Sequence, residues 1–406
     1  MKSSRHLLFS LFAVFVIFSD ELFYSFISFW GITLHSGMKA QEAIIIAIVS
    51  YSLLIYDLIT GKLTRNNWFQ FLSLLIILGL YYLTSIIYTS PSSNYWSQLL
   101  AFGALSIPSC FIGMHLSRED CEESVINLLP YFVIVVSLII GRAILTKSIS
   151  GELLGRDGEN IGFNYQNASY YMAFCYSYCL SYVLFLGRTG SKSFFSRLLY
   201  IVMLGLLFFC AICCISGGGR GAFVFMIAIT VYLSFRSLQH VRFVTRLWTS
   251  ILIIVSAVVL LFLANRYGVF GSEGFLRVSE NLTFDPVRNE LRHRAISAFQ
   301  ESPIIGNGLG SIWWKLGFYS HNIVTDLLVE SGIIGTFIFG SIMIRCLFRI
   351  ARDSRKNRIS LFLFIVFLGA LTEVTFSGYW LSASKLFLIY GYVYATTRPL
   401  LHINYK

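Results

Sequence analysis

The stretch YSHNIVTDLLVESGIIGT, residues 319–336, sets His321 and Asn322 at the head of an apolar run. His321 can be read as an interfacial residue capping a helix, or as a proton acceptor. Imidazole titrates near neutrality, and the positive end of a helix dipole disfavours its charged form, which keeps it able to take a proton. Upstream, FDPVRNELRHRAISAFQESPIIGNGLG carries Arg288 and Arg292 four residues apart, a spacing that puts both on one helix face. Earlier still, SGGGRGAF at 216–223 sets Arg220 behind three glycines. Gly218 and Gly219 could turn backbone N–H groups toward an anion, with Arg220 adding a forked donor suited to phosphate oxygens. Alternatively, the stretch is a flexible turn with a snorkelling arginine. A neutral histidine with fixed arginines suits the transfer of a group from a diphosphate to a hydroxyl. The leaving diphosphate needs cations, and the attacking hydroxyl needs a base.

The elements that must hold these residues lie in a membrane. The 406 residues are 56% hydrophobic and only 13% charged, with a mean hydropathy of +0.71. A soluble fold of that size needs more polar surface. The net charge of +11 does not point to nucleic acid, because the basic residues sit in short clusters between apolar runs, the pattern that orients membrane helices. A spanning helix needs about 20 apolar residues. On that basis roughly twelve spans are expected, at 7–31, 43–60, 68–89, 98–116, 125–146, 168–187, 198–216, 221–236, 247–265, 323–344, 359–376 and 380–397. The first begins in MKSSRHLLFSLFAVFVIFS and has no small-residue cleavage site, so it reads as an uncleaved helix. The expectation is an all-α polytopic protein forming a single integral membrane domain over 1–406.

With the N-terminus inside, alternate loops carry Lys62/Arg65, Arg188/Lys192/Arg197, Arg236/Arg242/Arg246 and the run from Arg345 to Arg358. That assignment satisfies the positive-inside bias and puts both termini in the cytoplasm. The loop pairing Arg118 with Glu119, Asp120, Glu122 and Glu123 fits it poorly. Two long segments then fall outside, 147–167 and 266–322, and the second reads as the large catalytic loop. Within it, Asp285 and Pro286 start a short helix. Its apolar face is Leu291, Ala295, Ala298 and Phe299, and Glu290 with Arg294 reads as a surface ion pair. Arg142, Lys147, Glu373 and Lys385 fall at the same outer level, Glu373 and Lys385 as a candidate structural pair. Cys210, Cys213 and Cys214 have no histidine or carboxylate beside them and read as small hydrophobes, so no metal is expected.

The order of SGGGRGAF, Arg288, ESPIIGNGLG and SHNIVTDLLVESGIIGT resembles the bacterial O-antigen ligase and polymerase family. The ligase pattern is His, then Asn, Ser or Gln, nine residues, Gly-x-x-Gly, and Gly, Thr or Tyr. His321, Asn322, Gly332, Gly335 and Thr336 match it. The family's Pro-[Leu/Ile]-x-Gly-x-Gly step matches Pro303, Ile304, Gly306 and Gly308. Arg292 stands near where the family commonly has Trp, which leaves Arg288 and Arg292 both open as the loop arginine.

The resemblance implies a helical membrane glycosyltransferase of the GT-C-like type in the bacterial inner membrane, acting at the periplasmic face without cofactor or metal. It implies inverting transfer from an undecaprenyl-diphosphate-linked glycan. His321 would be the general base, with Arg220 and Arg288 on the diphosphate. Arg292, Asn322, Gly218, Gly219 and Arg142 are further candidates for binding substrate. Gly332 and Gly335 would let helices pack closely. The acceptor would be a lipid-linked repeat unit, if the chain is a polymerase, or lipid A-core, if it is a ligase. A chain-length regulator is a possible partner. Roughly eighteen residues between Pro303 and His321 leave little room for a large acceptor platform, which favours the polymerase. A flippase would need polar groups near the midplane or repeated halves, and neither is evident.

Overall fold

The computed structural model describes residues 44–52, 102–117, 119–149, 165–187, 194–239 and 286–396, with isolated helical positions at 55, 59, 72, 76 and 79. All the regular structure among them is helical. Among the described residues, five helices are long and apolar enough to cross a membrane. The expected spans 7–31 and 247–265, most of 68–89, residues 266–285 and the acidic cap Asp285 lie outside the described residues. The chain divides into two compact units. One contains residues 37–126 and 285–406, the other residues 127–284, with N-terminal residues assigned to each.

The unit that carries His321 includes α1 (Ile107–Leu116), entered through a π-helical turn at Phe102–Ser106, and the first residues of α2 (Glu119–Ile149). Helices α6 (Pro286–Glu301), α7 (Ser311–Leu316), α8 (Ile323–Asp353), α9 (Arg358–Phe376) and α10 (Ser384–Thr396) complete it. Helices α1 and α10 cross backbone to backbone. A Cβ on Gly113 would run into the Leu388 carbonyl, and one on Gly391 into that of Cys110. Small residues permit this approach where lipid supplies no hydrophobic drive. The expected span 380–397 is shortened, because a 3₁₀ turn at Trp380–Ser382 occupies its start. In contrast, α8 runs to Asp353, beyond the expected end at 344, so Arg345, Arg349 and Arg352 lie on a helix rather than in a loop. Arg349 Nε pairs with Asp353 at 2.9 Å, one turn on.

The same unit explains the acidic loop that fitted the charge rule poorly. Glu122 accepts from Asn357 Nδ2 and from the Tyr392 hydroxyl, both at 2.8 Å. The carboxylate therefore joins the starts of α2 and α9 to α10 at the end rich in arginine. At the opposite end, the Tyr319 hydroxyl donates to the Ser377 carbonyl at 2.6 Å, joining the loop before α8 to the loop after α9.

The second unit holds the rest of α2, α3 (Tyr165–Ser181, continued by a π-helical turn at Tyr182–Leu186), α4 (Phe194–Ser216) and α5 (Arg220–Gln239). Cys175, Cys179, Cys210, Cys213 and Cys214 are buried free thiols here. The Cys210 thiol donates to Ser137 Oγ at 3.3 Å.

Candidate functional site

Helix α6 buries Ala295 and Ala298 and half-buries Leu291 and Phe299, as its apolar spacing predicts. Arg288 is half-buried on it, whereas Arg292 is exposed. The Arg288 charge acts on the Tyr319 hydroxyl, and the Tyr319 ring centroid lies 4.5 Å from that of His321. Arg292 shares neither feature. Glu290 and Arg294 are exposed without an ion pair between them among the described residues. Glu301 instead pairs with Lys315 of α7.

After α6 the chain docks against a break in α8. Gly332, buried within that helix, has φ 62° and ψ −166°, far from helical values. The stretch from Pro303 to Gly308 supplies the partners that the broken helix lacks. Ile333 and Ile334 N–H donate to the carbonyls of Pro303 and Ile304 at 2.9 and 3.2 Å. Asn307 and Gly308 N–H donate to Val329 and Glu330 at 2.9 Å each. Asn307 Nδ2 adds bonds to the Ala298 and Val329 carbonyls at 2.8 and 3.1 Å. Gly306 (φ 77°) and Gly332 face each other so closely that a Cβ on either would strike the other's backbone. Gly332 is therefore a helix break that receives a loop, not a spacer between neighbouring helices as the resemblance implied.

Glu330, two residues before the break, is completely buried. It accepts from the Tyr379 hydroxyl at 2.6 Å and from Trp380 Nε1 at 3.0 Å. One carboxylate thus joins α8 to the turn before α10. Above it, Trp313 packs against Phe318, Tyr319 and Tyr379, each with ring centroids 5.5 Å away. Phe318 stacks on Tyr319 at 4.4 Å and lies 5.2 Å from the His321 ring. The Tyr319 phenol is pushed up to about 12, chiefly by burial and then by the charges of Asp326 and Glu373, with Arg288 opposing. It therefore stays protonated at neutral pH, as its donation to Ser377 requires.

His321 takes φ 58°, the one left-handed non-glycine residue among those described. Its Nδ1 is buried, while the residue as a whole is half-exposed. Asn322 caps α8, its Oδ1 accepting from Val324 and Thr325 N–H at 3.0 and 3.2 Å. A cap of this kind contributes about 1 kcal/mol. The oxygen is thereby committed to the helix, so any contact of Asn322 with substrate would come from its Nδ2.

In the second unit, Arg220 is the first residue of α5 and is half-buried. The glycine turn before it differs from an anion-binding loop. Gly217 and Gly218 N–H donate to Cys213 and Ile215 at 2.9 and 3.2 Å, and Gly219 N–H donates to Ser169 Oγ at 3.1 Å. In this arrangement the Gly218 and Gly219 amides, the expected anion donors, are engaged within the turn and by Ser169. Their smallness has another use, since a Cβ on Gly217 or Gly219 would strike the Ser169 side chain. Arg142 is exposed on α2.

Residues 205–340 match the family model described as O-antigen ligase. That match supports assigning the chain to this family. The O-antigen ligase match covers about a third of the chain, and within it Arg220, Arg288, Arg292, His321 and the helix break. Arg142 falls outside it. No curated protein matches the chain.

Sequence reasoning missed Asp326, Glu330, Tyr319 and Ser169. The two carboxylates had a signal: ionisable residues one turn apart inside an apolar run, each a candidate by its cost in a membrane. Tyr319 and Ser169 had none, because their value comes from contacts distant in the chain.

Proposed function

We propose that the chain transfers a glycan from a lipid diphosphate to an acceptor hydroxyl at the periplasmic face, as an O-antigen ligase. The observation that carries the reading is His321, held in a left-handed turn, with Nδ1 buried and the Arg288 charge acting on the same phenol that its ring touches. Nε2 takes the proton of the acceptor hydroxyl as oxygen attacks the anomeric carbon and the diphosphate departs. Arg288 stabilises the departing oxygens, and Arg220 has a phosphate-binding role by resemblance. Inverting stereochemistry, a GT-C-like fold and undecaprenyl diphosphate as the lipid belong to the same proposal.

Two acceptors were open. The family description favours lipid A-core, and so the ligase, over a second lipid-linked repeat unit and the polymerase. The short step from Pro303 to His321 does not argue against a ligase, because its first residues, Pro303–Gly308, are taken up in docking on α8.

A deletion strain examined by lipopolysaccharide gel tests both points. Loss of a ligase leaves bare core while lipid-linked polymer accumulates; loss of a polymerase leaves core bearing one repeat unit. Complementation with His321→Ala or Arg288→Ala is expected to restore protein in the membrane but less than about 1% of capped core, given the 10²–10⁴-fold worth of a general base. Full capping by either variant would sink the mechanism. Core with one repeat unit would return the polymerase reading.

A further inference from the structure

Asp326 lies one turn into α8, is completely buried, and has no role in the chemistry above. Its Oδ1 accepts two bonds from Ser320, from the backbone N–H at 2.9 Å and from Oγ at 2.5 Å. Ser320 Oγ also lies 3.2 Å from the Asn322 carbonyl, which shares its single proton at most as the weaker acceptor, and Asp326 N–H donates to that same carbonyl at 2.9 Å. The residues before and after His321 are therefore both tied to Asp326, while His321 between them takes φ 58°. A side-chain-bearing residue stays in that conformation only where its surroundings over-determine it.

Asp326 is also an unusual choice for a merely structural tie. Asn322 already caps the helix. Asp326 Oδ2 is buried and meets no hydrogen-bond donor among the described residues, and an unsatisfied buried carboxylate oxygen is costly.

We propose that Asp326 is a positioning residue for His321, closing the Ser320–Asn322 turn that aims the imidazole. The inference rests on the reading of His321 as the base, and its test is arranged to separate the two.

The full-length protein is purified in detergent as wild type, Asp326→Ala, Asp326→Asn and Ser320→Ala, then treated with diethylpyrocarbonate near neutral pH. Peptide mass spectrometry reads modification of His321 relative to His293, which is exposed on α6. In parallel, transfer is followed from undecaprenyl-diphosphate-linked O-antigen to lipid A-core. Asp326→Ala is expected to change the His321/His293 ratio by about threefold or more and to lower kcat by about tenfold to a hundredfold, with little change in KM, as misorientation of a catalytic group does. Asp326→Asn keeps an acceptor oxygen for Ser320 and is expected to recover most of both. An unchanged ratio or an unchanged kcat in Asp326→Ala overturns the proposal. So does an equal loss in Asp326→Ala and Asp326→Asn, since negative charge and not the acceptor oxygen would then matter. If Asp326→Ala fails to accumulate, Ser320→Ala removes one of the two bonds and is held to the same criteria at smaller amplitude. A wild type that transfers nothing overturns the functional reading alone, and the modification ratio then decides the role of Asp326.

Discussion

Glu330 shows how a single side chain organises the surroundings of His321. Its two oxygens receive the Tyr379 hydroxyl and the Trp380 indole, both buried, at a point where α8 and the turn before α10 meet. Removing the carboxylate leaves those donors without an acceptor, which costs about 1–3 kcal/mol for each unsatisfied group. Glu330→Ala is therefore expected to lower the apparent Tm in detergent strongly, and Glu330→Gln, which retains one acceptor oxygen, less. Equal and small shifts in the two variants would refute the tie. The residue scale is also where the sequence was most and least readable. His321, Arg288 and Arg220 stand out as candidates because their types announce chemistry in an apolar chain. Asn322 has a use that its motif did not announce, since its side-chain oxygen caps a helix. Asp326 and Glu330 belong to the apolar period of α8, and only their partners at Ser320, Tyr379 and Trp380 reveal what they do.

At the scale of elements, the join between α6 and α8 governs how His321 is presented. The helical periodicity of α6 and the Pro303–Gly310 stop were readable from local rules. The break at Gly332 was not, because the hydrophobic run continues through it and the partners that satisfy it lie some thirty residues upstream. Both Gly306 and Gly332 have positive φ, and each leaves no space for a Cβ. Strain of this kind adds to the steric clash, so Gly332→Ala or Gly306→Ala is expected to cost at least about 1–3 kcal/mol. The cost falls on docking of the loop and not on insertion of α8. The expected readout is full-length protein in the membrane with faster proteolytic cleavage between Pro303 and Gly310. By contrast, Gly340→Ala, at a position where a Cβ meets nothing, is expected to leave cleavage unchanged. Indistinguishable cleavage in the Gly332 and Gly340 variants would show that the loop does not depend on the break.

At the scale of the molecule, charge along the sequence and hydrogen bonds across the fold give two independent indications of orientation. The positive-inside bias groups the acidic loop near Glu122, the arginine-rich end of α8 and the C-terminal segment on one side. Glu122 is bonded to Asn357 and Tyr392, so these segments meet at one end of their unit even though the loop's acidic residues argued weakly by charge. The loop before α8 and the turn after α9, grouped on the other side by the same counting, meet through Tyr319 and Ser377. In the second unit, Ser169 near the start of α3 bonds Gly219, which joins the 147–167 side of α3 to the turn before α5. Within each unit, these contacts agree with the pairing of segments that the loop charges lead us to expect. That the Tyr319 end faces the periplasm is a proposal that rests on the arginines. Single cysteines at the exposed positions Phe318 and Lys356 test it. With the outer membrane permeabilised, a membrane-impermeant maleimide is expected to label Phe318→Cys in intact spheroplasts, and to label Lys356→Cys only after lysis. The reverse pattern would put His321 in the cytoplasm, where a periplasmic glycan transfer could not use it.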